Sequence, residues 1–248
     1  MGFCLSTQKL SFIIPTLNER PNIEKLLPDL EAYITINGLN AEIIVVDDSS
    51  ADGTGAFVDA FSKKALFVRL ITRAKSNGIG SALQEGYNAA TGDVLISMDA
   101  DLSLKVNEID SLLKGLNSGA DFVVGSKYLP GSVFERSSFS VAFQSKISRI
   151  GNRVIQHLSG IPLTDFTLNF RGMHRRVWKT LRPTNHGNFF LTECIFQAKD
   201  HGFVLKEVPV TFLERAHGQS KTRVMRQIPV FLKNTLRYSI SRIYKMNK

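Results

Sequence analysis

Cysteine is nearly absent from this 248-residue sequence. Cys4 and Cys194 stand far apart with no obvious signal peptide ahead of them, so neither a disulfide framework nor a cysteine-held metal is indicated. The expected compartment is reducing and cytoplasmic. No apolar run reaches the roughly 20 residues that span a bilayer. Phe139–Phe143 and Ile228–Leu232 are soon broken by polar or charged residues, which leaves peripheral contact or a membrane partner subunit. His157, His174, His186, His201 and His217 show no ligand spacing. No Gly-x-Gly-x-x-Gly follows the first apolar run, which argues against a dinucleotide oxidoreductase. Acidic residues end at Glu214, while Arg215, Lys221, Arg223, Arg226, Lys233, Arg237, Arg242, Lys245 and Lys248 follow it. Much of the net charge of +9 therefore belongs to the tail and suits an anionic surface there, with nothing calling for nucleic acid.

With 43% hydrophobic and 21% charged residues, the chain has the composition of one globular core with an appendage. Leu10–Ile14, Glu42–Asp47, Phe67–Thr72, Val94–Met98 and Phe122–Gly125 read as strands separated by amphipathic helical patterns. That alternation predicts an α/β fold, a Rossmann-like, mostly parallel sheet flanked by helices. Gly131 to about Gly160 reads as a basic, serine-containing helical stretch, and Asp165–Val210 as a strand, two helices and a strand. A catalytic domain over 1–220 and a basic amphipathic tail over 221–248 are expected, with no internal repeat.

Ligands gather at the carboxyl ends of strands in such sheets. Pro15, Asn18 and Glu19 follow the first strand, Asp47 and Asp48 end the second, and Asp99 and Asp101 follow the fourth. Asp99-Ala100-Asp101 puts two carboxylates on one side of an extended segment, where they repel unless a cation joins them. Oxygen ligands without nearby histidine or cysteine favour Mg²⁺ or Mn²⁺ bridging diphosphate oxygens; the plainer reading is a solvated cap for the next helix. Asp47–Thr54 suits either helix N-caps or hydrogen bonds to a base or ribose. Asn77-Gly78-Ile79-Gly80-Ser81-Ala82 would let amides approach a phosphate at a helix N-terminus, or serve an ordinary turn.

Taken in order, these segments resemble family 2 inverting glycosyltransferases of the glycosyltransferase A-type fold, specifically the dolichol-phosphate mannosyltransferase-like branch acting on polyprenyl phosphates. The resemblance runs from about Leu10 to Arg223. It rests on Ile14–Glu19, Ile44–Ser50 with Asp52-Gly53-Thr54, Asn77–Ala82, Gly92-Asp93, Asp99–Ser103, Gly125-Ser126-Lys127-Tyr128, and Arg215 with Gly218 and Ser220-Lys221. It implies a nucleotide-diphosphate sugar donor (GDP- or UDP-sugar) and a polyprenyl (dolichyl or undecaprenyl) phosphate acceptor. Pro15, Leu17, Glu19 and Asp48, with Asp47, would hold the nucleoside. Asp99 and Asp101 would reach the metal with Ser103 completing its shell, and Arg215, Ser220 and Lys221 would grip donor or acceptor phosphates. Lys127 would be one of the donor-binding residues, and Asp101, Arg215 and Lys221 would be the catalytic ones.

The chain departs from that pattern in three places. Leu104-Lys105-Val106-Asn107 replaces the usual His-Pro-Pro-Glu, Lys127 replaces an arginine, and Asp165–Arg171 (family Asp-x-Thr-Ser-Gly-Phe-Arg) lacks a small hydroxyl residue and a glycine near the acceptor. A phosphate acceptor is largely dianionic and needs no general base. A saccharide hydroxyl would need one, with Asp165 or Glu193 as first candidates, and a non-catalytic nucleotide-binding relative is the third reading. Ile228, Phe231, Leu232, Leu236, Ile240 and Ile243 recur at helical spacing among cations, which suits either a terminal helix packed on the domain or one lying in a membrane interface on the cytoplasmic face. Met1-Gly2 with Ser6, and Cys4 beside them, fit a loose acylation pattern.

Overall fold

The structure, a computed structural model, describes the backbone of residues 8–134, 139–214 and 224–246, and the side chains of 8–133, 145–214 and 227–242. The acylation pattern at Met1–Ser6, together with Arg215, His217, Gly218, Ser220 and Lys221, lies outside the described residues.

The five expected strands form within one or two residues of their sequence bounds: β1 Leu10–Thr16, β2 Ala41–Asp47, β3 Val68–Thr72, β4 Val94–Met98 and β5 Phe122–Ser126. Between and after them run α1 Arg20–Ile36, α2 Thr54–Ser62, α3 Ile79–Ala89 and α4 Ile109–Asn117. The second half adds β6 Val133–Phe134, α5 Phe139–Ser159, β7 Phe170–His174, α6 Arg175–Thr180, α7 Phe189–Asp200, β8 Leu205–Pro209, β9 Thr211–Phe212 and α8 Val224–Met246. The main sheet has seven strands in the order β3-β2-β1-β4-β7-β5-β8. Only β7 runs antiparallel to its neighbours, β4 and β5. A small parallel pair, β6 with β9, stands apart.

The continuous apolar runs are divided by the two-residue period of the strand. Phe12, Ile14, Ile43, Val45, Ile96 and Met98 pack on one face of the sheet with α1 and α4. Ile13, Ile44, Val46, Leu95 and Val124 pack on the other with α3 and α7. The central strands β1, β2, β4 and β5 are buried along nearly their whole length, so their polar side chains reach solvent chiefly at the strand ends.

The terminal helix α8 is docked on this second layer. The Tyr238 ring stacks on Phe196 at 4.0 Å, Phe231 meets the edge of Phe189 at 5.3 Å, and Thr235 is fully buried. Tyr238 donates to the Phe196 carbonyl and to Asp200, and Arg242 donates to the Ser159 carbonyl, so the helix also closes the end of α5. Its other side leaves Val230, Leu232, Leu236 and Ile240 exposed. Among the described residues no helix is long and apolar enough to cross a membrane.

Candidate active site

The loops after β1 and β2 hold each other. Asn18 N–H donates to Ser50 Oγ, Ala51 N–H to Asn18 Oδ1, Glu19 N–H to Thr54 Oγ1 and Arg20 N–H to Asp52 Oδ2. Asp47 accepts from Thr16 Oγ1 at 2.9 Å, Ser50 Oγ at 2.5 Å and Ser50 N–H at 2.9 Å, with both carboxylate oxygens engaged inside the turn. Most of the Asp47–Thr54 motif is thus spent on clamping two loops. Asp48 is the member of the motif that faces the open edge.

Arg73, which sequence reading passed over, governs Asp48. It donates from Nη1 to Asp48 Oδ1 at 2.7 Å and from Nη2 to Ser81 Oγ at 2.5 Å, and its Nε lies 3.2 Å from Glu85. Its position directly after β3, at the same carboxyl edge, was the signal that could have found it. The Asn77–Ala82 turn also does something other than expected. A Cβ on Gly78 or Gly80 would lie 2.7 Å from the His186 or Gly187 carbonyl, and Ser81 N–H donates to the His186 carbonyl. The close backbone approach these glycines allow is to residues 186–187, so the Ser81 amide is taken by protein; Gly78 and Ile79 still border the cavity.

That cavity, about 730 Å³, lies along the carboxyl edge. Its polar end is lined by Pro15, Leu17, Glu19, Asp48, Asp99, Asp101 and Lys127. Asp47 and Ser103 are not among the lining residues. The Ser103 N–H donates to Asp101 Oδ1 at 3.0 Å, and its carbonyl accepts from Leu213 N–H, so Ser103 shapes the Asp99–Ser103 loop from within. Among the described residues the non-glycine positions with positive φ are Asn18, Ser49 and Leu102, one in each of the loops after β1, β2 and β4. Such backbone costs about 1–3 kcal/mol each and persists where surrounding contacts over-determine it.

Asp99 Oδ1 accepts from the Asn169 amide at 2.9 Å. Lys127 stands nearby, its ammonium 3.7 Å from Asp165 and 4.7 Å from the centre of the Phe212 ring. Burial pushes the Lys127 pKa down, but Asp165, Tyr128 and Asp99 outweigh it and leave the net shift upward, so the cation is retained. Neither carboxylate named as a base for a hydroxyl acceptor lines the cavity. Asp165 Oδ1 takes the Thr167 and Leu168 amides, and Glu193 takes the amides of Thr184 and Asn185. Arg171, wholly buried, donates to the carbonyls of Phe166, Leu168 and Leu191, so it binds the Asp165–Leu168 turn to α7 and is not a ligand-facing cation. Cys194 is buried, its thiol pushed up to about 12 by desolvation.

The same cavity is lined by Ile147, Ile150, Val154 and Ile155 of α5, by Ile228, Phe231 and Leu232 of α8 and by Leu191 of α7, with Ser148, Asn152 and Gln227 among them, so that a mostly apolar trough between α5 and α8 belongs to it. Sequence reading had placed no ligand there, because the two helices are about 80 residues apart along the chain.

Among the described residues no three His, Cys, Asp or Glu side chains come together to hold a metal ion. Asp99 and Asp101 offer hard oxygen donors at one wall of an open cavity. That set fits a Mg²⁺ or Mn²⁺ ion, which Asp99 and Asp101 would hold.

A family model for glycosyl transferase family 2 matches residues 11–182. A dolichol-phosphate mannosyltransferase of Pyrococcus furiosus is 35% identical over 216 residues, 87% of this chain and 59% of the relative. The chain thus spans about three fifths of that relative's length. A polyprenol monophosphomannose synthase of Mycolicibacterium smegmatis is 32% identical over 222 residues, covering 87% of this chain and 81% of the relative. Among solved structures, glucosyl-3-phosphoglycerate synthase of Mycobacterium tuberculosis in complex with Mn²⁺ and UDP-glucose superposes with a TM-score of 0.69 at 18% identity, over 93% of this chain and 79% of that one. The same enzyme with Mg²⁺ and UDP gives 0.67. The expected glycosyltransferase A-type fold is therefore present, and the chain belongs to glycosyl transferase family 2.

Proposed function

We propose that the protein transfers a sugar from a nucleotide-diphosphate donor to the phosphate of a polyprenyl phosphate, with inversion at the anomeric carbon. The observation that carries this reading is that one cavity is lined both by the carboxylates Asp99 and Asp101 and by the mostly apolar trough between α5 and α8. A donor phosphate belongs at the first and a prenyl chain in the second. The names of the relatives from P. furiosus and M. smegmatis point to the same substrate class.

In this reading Pro15, Leu17, Glu19 and Asp48 hold the nucleoside, and Arg73 keeps the Asp48 carboxylate aimed at it. Asp99 and Asp101 would hold a divalent ion, which would supply neutralisation of charge on the leaving nucleoside diphosphate. Lys127, which lines the same cavity, meets the acceptor phosphate, joined by Arg215, Ser220 and Lys221. An acceptor phosphate oxygen attacks the anomeric carbon. As that bond forms, the bond from the same carbon to the diphosphate oxygen breaks and its electron pair leaves with the diphosphate. The attacking oxygen carries no proton to remove; of the carboxylates put forward as bases for a hydroxyl acceptor, Glu193 has both oxygens engaged in a loop, and Asp165 has one oxygen in a turn and the other 3.7 Å from the Lys127 ammonium. The exposed side of α8, with Lys233 and Arg237 among its apolar residues, lies on an anionic membrane surface and places the trough where a prenyl chain can enter it.

The test is transfer from a panel of GDP- and UDP-sugars to a short polyprenyl phosphate with Mg²⁺ or Mn²⁺. Metal-dependent lipid-phosphate sugar is expected, reduced about 100-fold or more in Asp101→Asn. Donor hydrolysis with no lipid product moves the acceptor to a saccharide, and absence of any donor engagement favours a non-catalytic relative.

A further inference from the structure

Where the resembling pattern has glycine, this chain has Asn169, and the structure gives that side chain a specific place. In the antiparallel β4–β7 ladder Met98 pairs with Phe170, so the next step outward sets Asp99 opposite Asn169. Ser97 and Asp99, two residues apart on β4 and its continuation, share a face. The Asn169 amide bridges them: Ser97 Oγ donates to Asn169 Oδ1 at 2.8 Å, and Asn169 Nδ2 donates to Asp99 Oδ1 at 2.9 Å. Behind Ser97, the Tyr87 hydroxyl donates to Ser97 Oγ at 2.7 Å. The Tyr87 ring is itself fixed, 4.9 Å from the centre of Trp178 and stacked on Phe190.

Tyr87, Ser97 and Asn169 are all buried. Every bond in the chain runs the same way, from the Tyr87 hydroxyl through Ser97 and the amide to the carboxylate. A carboxylate accepts and does not donate, so the amide has to turn its N–H₂ toward Asp99, and its oxygen is then placed to receive the Ser97 hydroxyl. Such polarised chains reinforce each bond and hold the terminal group in one rotamer. Asn169 also lines the cavity beside Asp99 and Asp101, so the ordered end of the chain is the end that meets ligand.

We propose that Asn169 is a positioning residue for the transfer reaction, one that sets the Asp99 carboxylate, through the buried Tyr87–Ser97 relay, in the orientation that receives a divalent cation bound with the nucleoside diphosphate. The inference rests on the metal reading of Asp99 given above. Groups that orient metal ligands typically change affinity 10- to 100-fold when removed.

The test is Mn²⁺ titration of the full chain with saturating UDP or GDP, following free Mn²⁺ by electron paramagnetic resonance, with thermal unfolding measured in parallel. Asn169→Ala is expected to weaken Mn²⁺ about 10-fold or more, and Ser97→Ala about 3-fold, since the amide remains but loses its lock. The double variant should be no weaker than Asn169→Ala alone, because Ser97 acts through Asn169. Unchanged Mn²⁺ affinity in Asn169→Ala, with or without a fall in melting temperature, assigns the residue to packing and overturns the proposal. So do single effects that multiply in the double variant. If Asn169→Ala does not fold, Ser97→Ala decides: unchanged affinity there overturns the relay. If the wild-type chain binds no Mn²⁺ with either nucleotide, the metal reading of Asp99 falls as well. Wild-type binding with unaffected variants removes the role of Asn169 alone.

Discussion

Glu42, near the start of β2, is a buried carboxylate at the edge of the sheet remote from the cavity. It accepts from Ser11 Oγ at 2.7 Å, Thr91 N–H at 2.6 Å, Thr91 Oγ1 at 2.7 Å and Arg69 at 3.1 Å. Burial pushes its pKa up, but the hydrogen bonds from Ser11 and Thr91 outweigh that and hold it at about 2, below its ordinary 4.5. The folded pKa lies below the unfolded one, so its contribution is present above about pH 4.5 and is lost as pH falls toward 2. Glu42→Gln should therefore lower stability at pH 7 and flatten the acid limb of a urea-denaturation series between pH 5 and pH 2.5; an unchanged acid limb would assign that limb to other carboxylates. Residues of this kind were poorly legible beforehand. Asp47 and Asp48 are adjacent and chemically identical in the sequence, yet one closes a turn and the other faces the cavity, because neighbouring positions at a strand end point in opposite directions. Asp99 and Asp101, spaced by two, were legible as a pair for the same reason.

At the level of elements, strand positions followed from apolar runs bounded by turn residues, and all five expected strands formed. The role of a glycine turn did not follow, since its partner at residues 186–187 is distant in sequence. Gly80→Ala would set a Cβ 2.5 Å from Phe190 Cβ and 2.7 Å from the Gly187 carbonyl, one of them backbone that cannot rotate away. A loss of about 1–3 kcal/mol in urea unfolding is expected, with weaker nucleotide binding because Gly78 and Ile79 border the cavity. A loss of stability with intact nucleotide affinity would mean that the start of α3 can shift without moving the cavity wall. The α8 helix was legible as amphipathic, but its apolar residues divide between two surroundings. Phe231 faces α7, while Leu236 is 45% and Ile240 53% exposed.

For the whole molecule, that outward stripe and the mouth of the trough lie on the same helix, since Leu232 is both 41% exposed and a lining residue. Leu236→Ser with Ile240→Ser is expected to lower binding to vesicles containing anionic lipid about 10-fold or more, while the melting temperature stays within about 2 °C of wild type. Undiminished vesicle binding would move membrane contact to another surface. The succession of strands and helices along the chain and the carboxylates at the strand ends were available from local pattern, because period and turn chemistry are properties of short segments, and the family came from the resemblance its motifs bear to known glycosyltransferases. The antiparallel insertion of β7, the pairing of Asn169 with Asp99, the capture of Asp48 by Arg73 and the apolar trough between α5 and α8 were not. Each joins residues some 25 to 80 positions apart, and such contacts exist only once the sheet has assembled and set its carboxyl edge against the later helices.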